Sequence, residues 1–141
     1  MTDSCFVDTN ILLYAISGTK ADRSKKKIAA GLLCQRNLVF SVQVFGEFYV
    51  NATRKQKPPL EHSEAVEFLQ TLRRFPVAEI SSEIGFRALE ISERFQLSYW
   101  DACIIAAARD TGCGRIYSED LQDGQDFGGL IIENPFKNRN A

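Results

Sequence analysis

Apolar residues fall along this chain in two alternating rhythms. Short runs of consecutive apolar positions are followed by longer stretches in which they recur every three or four residues, the period of a helix face. Ser4-Cys5-Phe6-Val7 reads as a short buried strand, and Ile11, Leu12, Ala15 and Ile16 suit a helix ending near Gly18. A second helix is expected over roughly Ala21 to Cys34. Leu38-Val39-Phe40 is a second strand, and Ser41 can cap the helix marked by Phe45, Phe48, Tyr49 and Ala52. Pro58-Pro59 is a loop within one domain. Ala65, Phe68, Leu69 and Leu72 mark a fourth helix. The stretch Phe75-Pro76-Val77-Ala78-Glu79-Ile80 contains a third strand, with Pro76 pointing to an edge or a strand start. Ile84, Ala88, Ile91 and Phe95 mark a fifth helix, and Trp100, Ile104, Ala107 and Ala108 a sixth, with Ser98 as its cap. Arg115-Ile116-Tyr117 is a fourth strand and Leu130-Ile131-Ile132 a fifth.

The strands lack a polar face and alternate with helices. That pattern predicts an α/β fold, a parallel sheet covered by helices on both sides. Working sites in such folds lie at the carboxyl ends of the strands. The length, 141 residues, fits a single domain over 1–141. At 45% hydrophobic the chain is not disordered. Its longest run free of polar residues and Gly, Ala102 to Ala108, is far short of the ~20 residues of a membrane span. The start has no basic region followed by an apolar stretch, so no secretory signal is expected. The expected setting is cytoplasmic, with no membrane partner.

Histidine and cysteine narrow the chemistry. Cys5, Cys34, Cys103 and Cys113 form no C-x-x-C pair, so they read as reduced thiols rather than a zinc site. The sole histidine, His62, follows a proline-rich loop, and nothing adjacent in sequence orients it. A serine or cysteine nucleophile with a histidine base therefore has little support. Acid–base or metal chemistry here falls to carboxylates.

Four acids stand apart from those on helix surfaces. Asp8 directly follows the first strand, and it reads equally as an N-cap or as a site residue. Glu47 is the only charge in an otherwise apolar helix segment. A carboxylate there must be paired, hydrogen-bonded, metal-bound or protonated, and Arg54 is one possible partner. Asp101 has capping-box spacing from Ser98, yet the turns that follow are apolar, so it can also face a cleft. Asp120 lies just past the fourth strand, in a loop that also holds Glu119, Asp123 and Asp126, any of which competes for its role. A parallel sheet brings Asp8, Glu47, Asp101 and Asp120 toward one edge. Two unit charges 4 Å apart repel by roughly 1 kcal/mol in water and about 4 kcal/mol at an effective dielectric of 20. Either some are protonated or a cation neutralises them. Carboxylates without thiols or imidazoles suit a hard ion, Mg²⁺ or Mn²⁺.

An ordered set of segments carries a resemblance over nearly the whole chain. These are Phe6-Val7-Asp8-Thr9-Asn10, Gln43-Val44-Phe45-Gly46-Glu47-Phe48, Leu97-Ser98-Tyr99-Trp100-Asp101-Ala102, Tyr117-Ser118-Glu119-Asp120-Leu121-Gln122-Asp123-Gly124 and Asn134-Pro135-Phe136. Together they resemble the PIN-domain ribonucleases, and within them the VapC-type toxins of toxin–antitoxin pairs. The resemblance implies a three-layer α/β/α sandwich with a five-stranded parallel sheet. It implies a Mg²⁺ or Mn²⁺ site with Asp8, Glu47, Asp101 and Asp120 as the acids, Asp123 as a candidate second-metal ligand, and Thr9, Asn10 and Ser118 as support. The implied activity is metal-dependent hydrolysis of RNA, a tRNA or another structured RNA. The implied partners are a small cognate antitoxin and a second copy of the chain. Two rivals remain. One is a haloacid-dehalogenase-like phosphotransferase, disfavoured because Asn10 occupies the general-acid position. The other is a catalytically weak RNA- or antitoxin-binding module on the same fold.

The formal net charge of -1 conceals a division. Residues 20–57 hold nine basic and two acidic residues, whereas 58–136 hold six basic and fourteen acidic. The basic block includes Lys25, Lys26, Lys27, Arg54 and Lys55. It reads either as a solvated helix face or as a surface that holds a nucleic-acid backbone.

Overall fold

The computed structural model describes residues 4–137; residues 1–3 and 138–141, which include the charges of Asp3 and Arg139, lie outside the described residues. The strands are β1 (Cys5–Val7), β2 (Leu38–Ser41), β3 (Val77–Ala78), β4 (Arg115–Tyr117) and β5 (Ile131–Glu133). The helices are α1 (Thr9–Ala15), α2 (Arg23–Leu32), α3 (Val42–Arg54), α4 (His62–Thr71), α5 (Ser82–Phe95) and α6 (Tyr99–Asp110). A 3₁₀ turn, Leu72–Arg74, extends α4. β5 starts one residue later than its apolar run suggests. The Leu130 carbonyl instead accepts from Phe127 N at 2.8 Å, which keeps that residue in the preceding turn.

All neighbouring strands pair in parallel, in the order β3-β2-β1-β4-β5. The expected five-stranded parallel sheet of an α/β fold is thus present. Because right-handed crossovers are obligatory in practice, the reversal of strand order at β1 sends the two groups of helices to opposite faces. One group consists of α1 to α4, where α1 packs on α2 and α3, and α3 on α4. The other is the α5–α6 pair. β3 is one of the two edge strands, and Pro76 sits just before it, its carbonyl accepting from Phe40 N at 3.0 Å.

The core explains why the elements form where they do. In α6 every residue from Ala102 to Ala108 is buried, so this apolar run is an interior helix. Its start is capped by the Ser98 hydroxyl, which accepts from Asp101 N at 3.1 Å. α3 is capped in the same way by Ser41, accepting from Val44 N at 3.2 Å. The inner face of α3 presents Val44, Phe48 and Ala52 at helical spacing. Phe48 is fully buried and lies 5.0 Å, ring to ring, from Phe68 of α4. Among the described residues no disulfide joins any of the four cysteines. Among the described residues no helix is long and apolar enough to cross a membrane.

Phe48→Ala removes that contact and leaves a cavity behind the helix that carries Glu47. Denaturant unfolding should register a loss of about 3–5 kcal/mol.

Candidate active site

The site grows out of the sheet's reversal point. β1 lies between β2 and β4, and a crevice opens at the carboxyl ends of strands where the order reverses. Val7 is in register with Tyr117, and Asp8 N donates to the Tyr117 carbonyl at 3.0 Å. The residues that follow, Asp8 and Ser118, therefore meet. Ser118 Oγ donates to Asp8 Oδ2 at 2.8 Å and accepts from the amides of Asp120 and Leu121, both at 3.2 Å. One fully buried hydroxyl thus fixes Asp8 and folds the following loop back toward it.

Asp8 is also the N-cap of α1, accepting from Thr9 N at 2.7 Å. The capping role and the site role are the same placement. Glu47 comes from the second turn of α3, and its Oε1 accepts from the Thr9 hydroxyl at 2.8 Å. Thr9, not Arg54, is the partner found for this carboxylate. Asp101 enters from the first turn of α6. The Gln43 side chain links the two helix starts by donating to the Trp100 carbonyl at 3.1 Å.

Asn10 joins the last acid to the others. Its Nδ2 donates to Asp120 Oδ2 at 3.1 Å and lies 3.5 Å from Asp8 Oδ2, while its Oδ1 accepts from Glu119 N at 3.2 Å. The result is an open cleft of about 240 Å³. Asp8, Glu47, Asp101 and Asp120 all line it, with Thr9, Asn10 and Asn51 supplying the remaining polar groups and Leu13 and Ile104 the apolar wall. Asn51, one turn beyond Glu47, carried no signal in the sequence beyond that spacing.

The other sequence candidates lie elsewhere. Asp123 is not part of the cleft. Its carboxylate accepts from Asn134 N at 2.8 Å and pairs with Lys137 at 3.5 Å, because the loop after Asp120 turns toward the C-terminal segment. Asp126 caps a turn, accepting from Gly129 N at 2.7 Å. Glu119 points away from the cleft, bound by Tyr14 and Lys25. Of the competing loop acids, Asp120 alone reaches the cleft. Lys25 is therefore engaged with a carboxylate, with 38% of its side chain still exposed, whereas Lys26, Lys27, Arg54 and Lys55 are exposed and bear no such partner in this loop. His62 does have an orienting partner that the sequence did not reveal, the Tyr49 hydroxyl at 2.8 Å, but it stands outside the cleft.

The cleft concentrates negative charge. Asp8 is 6% exposed, and burial raises its carboxyl to about 6; the hydrogen bonds from Ser118 and Thr9 oppose this, and the charges of Asp120 and Glu47 add to it. Asp101 is also raised, first by burial and then by Asp120, against the Ser98 hydroxyl. Among the described residues no basic side chain lines the cleft to offset these acids. An all-oxygen donor set suits a hard divalent ion. Among the described residues, as placed here, no three His, Cys, Asp or Glu side chains come close enough together to hold a metal ion by themselves.

The Asp8 carboxyl is raised above its unfolded value, so its stabilising contribution is complete below about pH 4 and is lost as pH rises through about 6. At neutral pH its ionisation costs on the order of 3 kcal/mol. Without divalent ions, the Tm of the wild type should fall between pH 4.5 and 7 relative to that of Asp8→Asn. Parallel Tm profiles for the two proteins would contradict a buried, titrating Asp8.

The PIN domain family model matches residues 5–122. No curated protein sequence is a significant match. Among solved structures, a toxin–antitoxin complex from Klebsiella pneumoniae has a chain 21% identical at a TM-score of 0.68, covering 95% of this chain and 99% of that one. VapC20 of Mycobacterium tuberculosis, described as a sarcin–ricin loop cleaving toxin, is also 21% identical at 0.68, covering 83% and 90%. VapBC-1 from nontypeable Haemophilus influenzae is 16% identical at 0.64, covering 94% and 98%. The folds agree over nearly full lengths, and the family's sequence model spans the strands and helices that build the acid cleft. The chain belongs to the PIN domain family.

Proposed function

We propose that this protein is a metal-dependent endoribonuclease toxin of the VapC type, acting on a tRNA or another structured RNA and held in check by a small antitoxin. The observation that carries the reading is the convergence of Asp8, Glu47, Asp101 and Asp120 on one cleft that no basic side chain among the described residues lines. A bound Mg²⁺ or Mn²⁺ would supply an activated water and offset charge on the phosphate in the transition state. Asp8 and Asp101 are the main ligands in this reading, and Glu47 and Asp120 complete the set directly or through water. Ser118 holds Asp8, Thr9 holds Glu47, and Asn10 holds Asp120 at the distances given above.

The basic block fits the RNA backbone. A Cβ placed on Gly18 would stand 3.6 Å from Pro58 Cδ, so the loop after α1 packs on the loop after α3. Residues 20–27 and 54–57 lie close in sequence to this contact, and their exposed Lys26, Lys27, Arg54 and Lys55 are, in this reading, the groups that hold the backbone. The antitoxin is supported by the solved neighbours, which are described as toxin–antitoxin complexes. A homodimer is supported by large apolar side chains left in solvent on α5 and at the start of α6: Phe86, Leu89 and Trp100 are 70%, 54% and 60% exposed. A non-catalytic binding module on this fold would have no use for four repelling carboxylates, which ranks it second.

Mn²⁺-dependent cleavage of RNA should be present in the wild type and lost in both Asp8→Asn and Asp101→Asn. Equal cutting by all three would identify a contaminant and overturn the assignment. Thermal melts should show Mn²⁺ stabilising the wild type, and Asp101→Asn should melt higher than the wild type without metal. RNA affinity should fall steeply with salt. The Arg54→Ala/Lys55→Ala double variant should flatten the log–log slope by roughly 1 to 1.5.

A further inference from the structure

A second cluster stands behind the acid cleft and is tied to it through the backbone. Tyr14, on α1, donates to Glu119 Oε1 at 2.5 Å. Lys25, on α2, pairs with Glu119 Oε2 and donates to the Tyr14 hydroxyl at 3.3 Å. The Lys25 ammonium also lies 4.9 Å from the centre of the Tyr14 ring and 5.7 Å from that of Phe136. Phe136 meets Tyr14 edge-on at 4.9 Å, so the Asn134-Pro135-Phe136 segment closes over the cluster. Two helices, α1 and α2, therefore grip one carboxylate that does not face the cleft, and the C-terminal segment packs on the grip.

Glu119 is the residue immediately before Asp120. Its side chain is gripped by Tyr14 and Lys25, and its amide by Asn10 Oδ1. The same Asn10 donates to Asp120. A loop held at Glu119 just before Asp120, and by the Ser118 hydroxyl at Leu121 N just after it, leaves Asp120 little freedom. We propose that the Tyr14–Lys25–Glu119 cluster is a positioning clamp that aims Asp120 into the cleft and thereby sets its affinity for a divalent cation. Lys25, although it belongs to the basic block, serves the acid site and not the RNA backbone. The proposal rests on reading the cleft as a metal site.

Charge alone and positioning predict opposite signs for one substitution. Lys25→Met deletes a positive charge near a cation site, so electrostatics alone would tighten Mn²⁺ binding. If the clamp positions Asp120, binding weakens instead. Calorimetric Mn²⁺ titration of the intact chain should show affinity reduced several-fold in Lys25→Met and in Tyr14→Phe, which leaves the formal charge unaltered. Lys25→Arg should recover most of the loss. In RNA cleavage, kcat should fall with KM little changed. Mn²⁺ binding in Lys25→Met as tight as, or tighter than, in the wild type would overturn the clamp. So would a rise in KM at constant kcat, which would make Lys25 a phosphate contact. Tyr14→Phe keeps the question decidable if Lys25→Met fails to fold. If the wild type itself binds no Mn²⁺, the metal reading of the cleft falls, and amide exchange then judges the clamp. Faster exchange at Asp120 and Leu121 in Tyr14→Phe would support it, and unchanged exchange would reject it.

Discussion

The parallel register between β1 and β4 is the constraint on which the site depends. Pairing Val7 with Tyr117 makes Asp8 and Ser118 neighbours although 110 residues separate them. A slip of one residue would turn each side chain to the other face of the sheet. It would separate the buried hydroxyl from the buried carboxylate and release the loop that carries Asp120. Ser118 has no solvent exposure, and it gives one hydrogen bond to Asp8 while receiving two from the loop amides. A polar group so deeply buried is tolerable only when satisfied in this way.

That arrangement concentrates negative charge where the fold can least screen it. Asp8 is buried, Glu47 and Asp120 raise its proton affinity further, and Asp101 faces the same cleft. The apolar interior offsets the strain. α6 is sequestered from Ala102 through Ala108, and α3 packs Val44, Phe48 and Ala52 inward. Eight of the 17 basic residues sit in or beside the loops after α1 and α3, and none of them lines the acid cleft. A net charge near zero thus conceals an uneven distribution along the chain.

Much of this was legible in the chain itself. Each strand is a run of apolar residues, each helix shows its period, and Ser41 and Ser98 announce the starts of α3 and α6. Glu47 stood out because an isolated charge in an apolar helix needs a reason. Other features were not legible because they depend on contacts between distant segments. Nothing local indicates that Thr9 rather than Arg54 partners Glu47, or that Asn51 reaches the cleft. His62 looked unpartnered in sequence because Tyr49 lies a helix away. Asp120 had three competitors in its own loop, Glu119, Asp123 and Asp126, until the loop's path sent each in its own direction.

Hydropathy periodicity and the scarcity of histidine and paired cysteine were enough to establish an α/β chain whose chemistry belongs to carboxylates. Those properties are local, set by side-chain type and spacing, and they survive without knowledge of the fold. Which carboxylates share a cleft was decided only by strand register and by the reversal of strand order at β1. The tertiary structure alone separated Asp120 from Glu119 and Asp123, and Lys25 from its basic neighbours. The physical reason is that a charged side chain's role follows from its partner, and here the partners lie 94 residues away for Lys25 and 110 for Asn10 with Asp120.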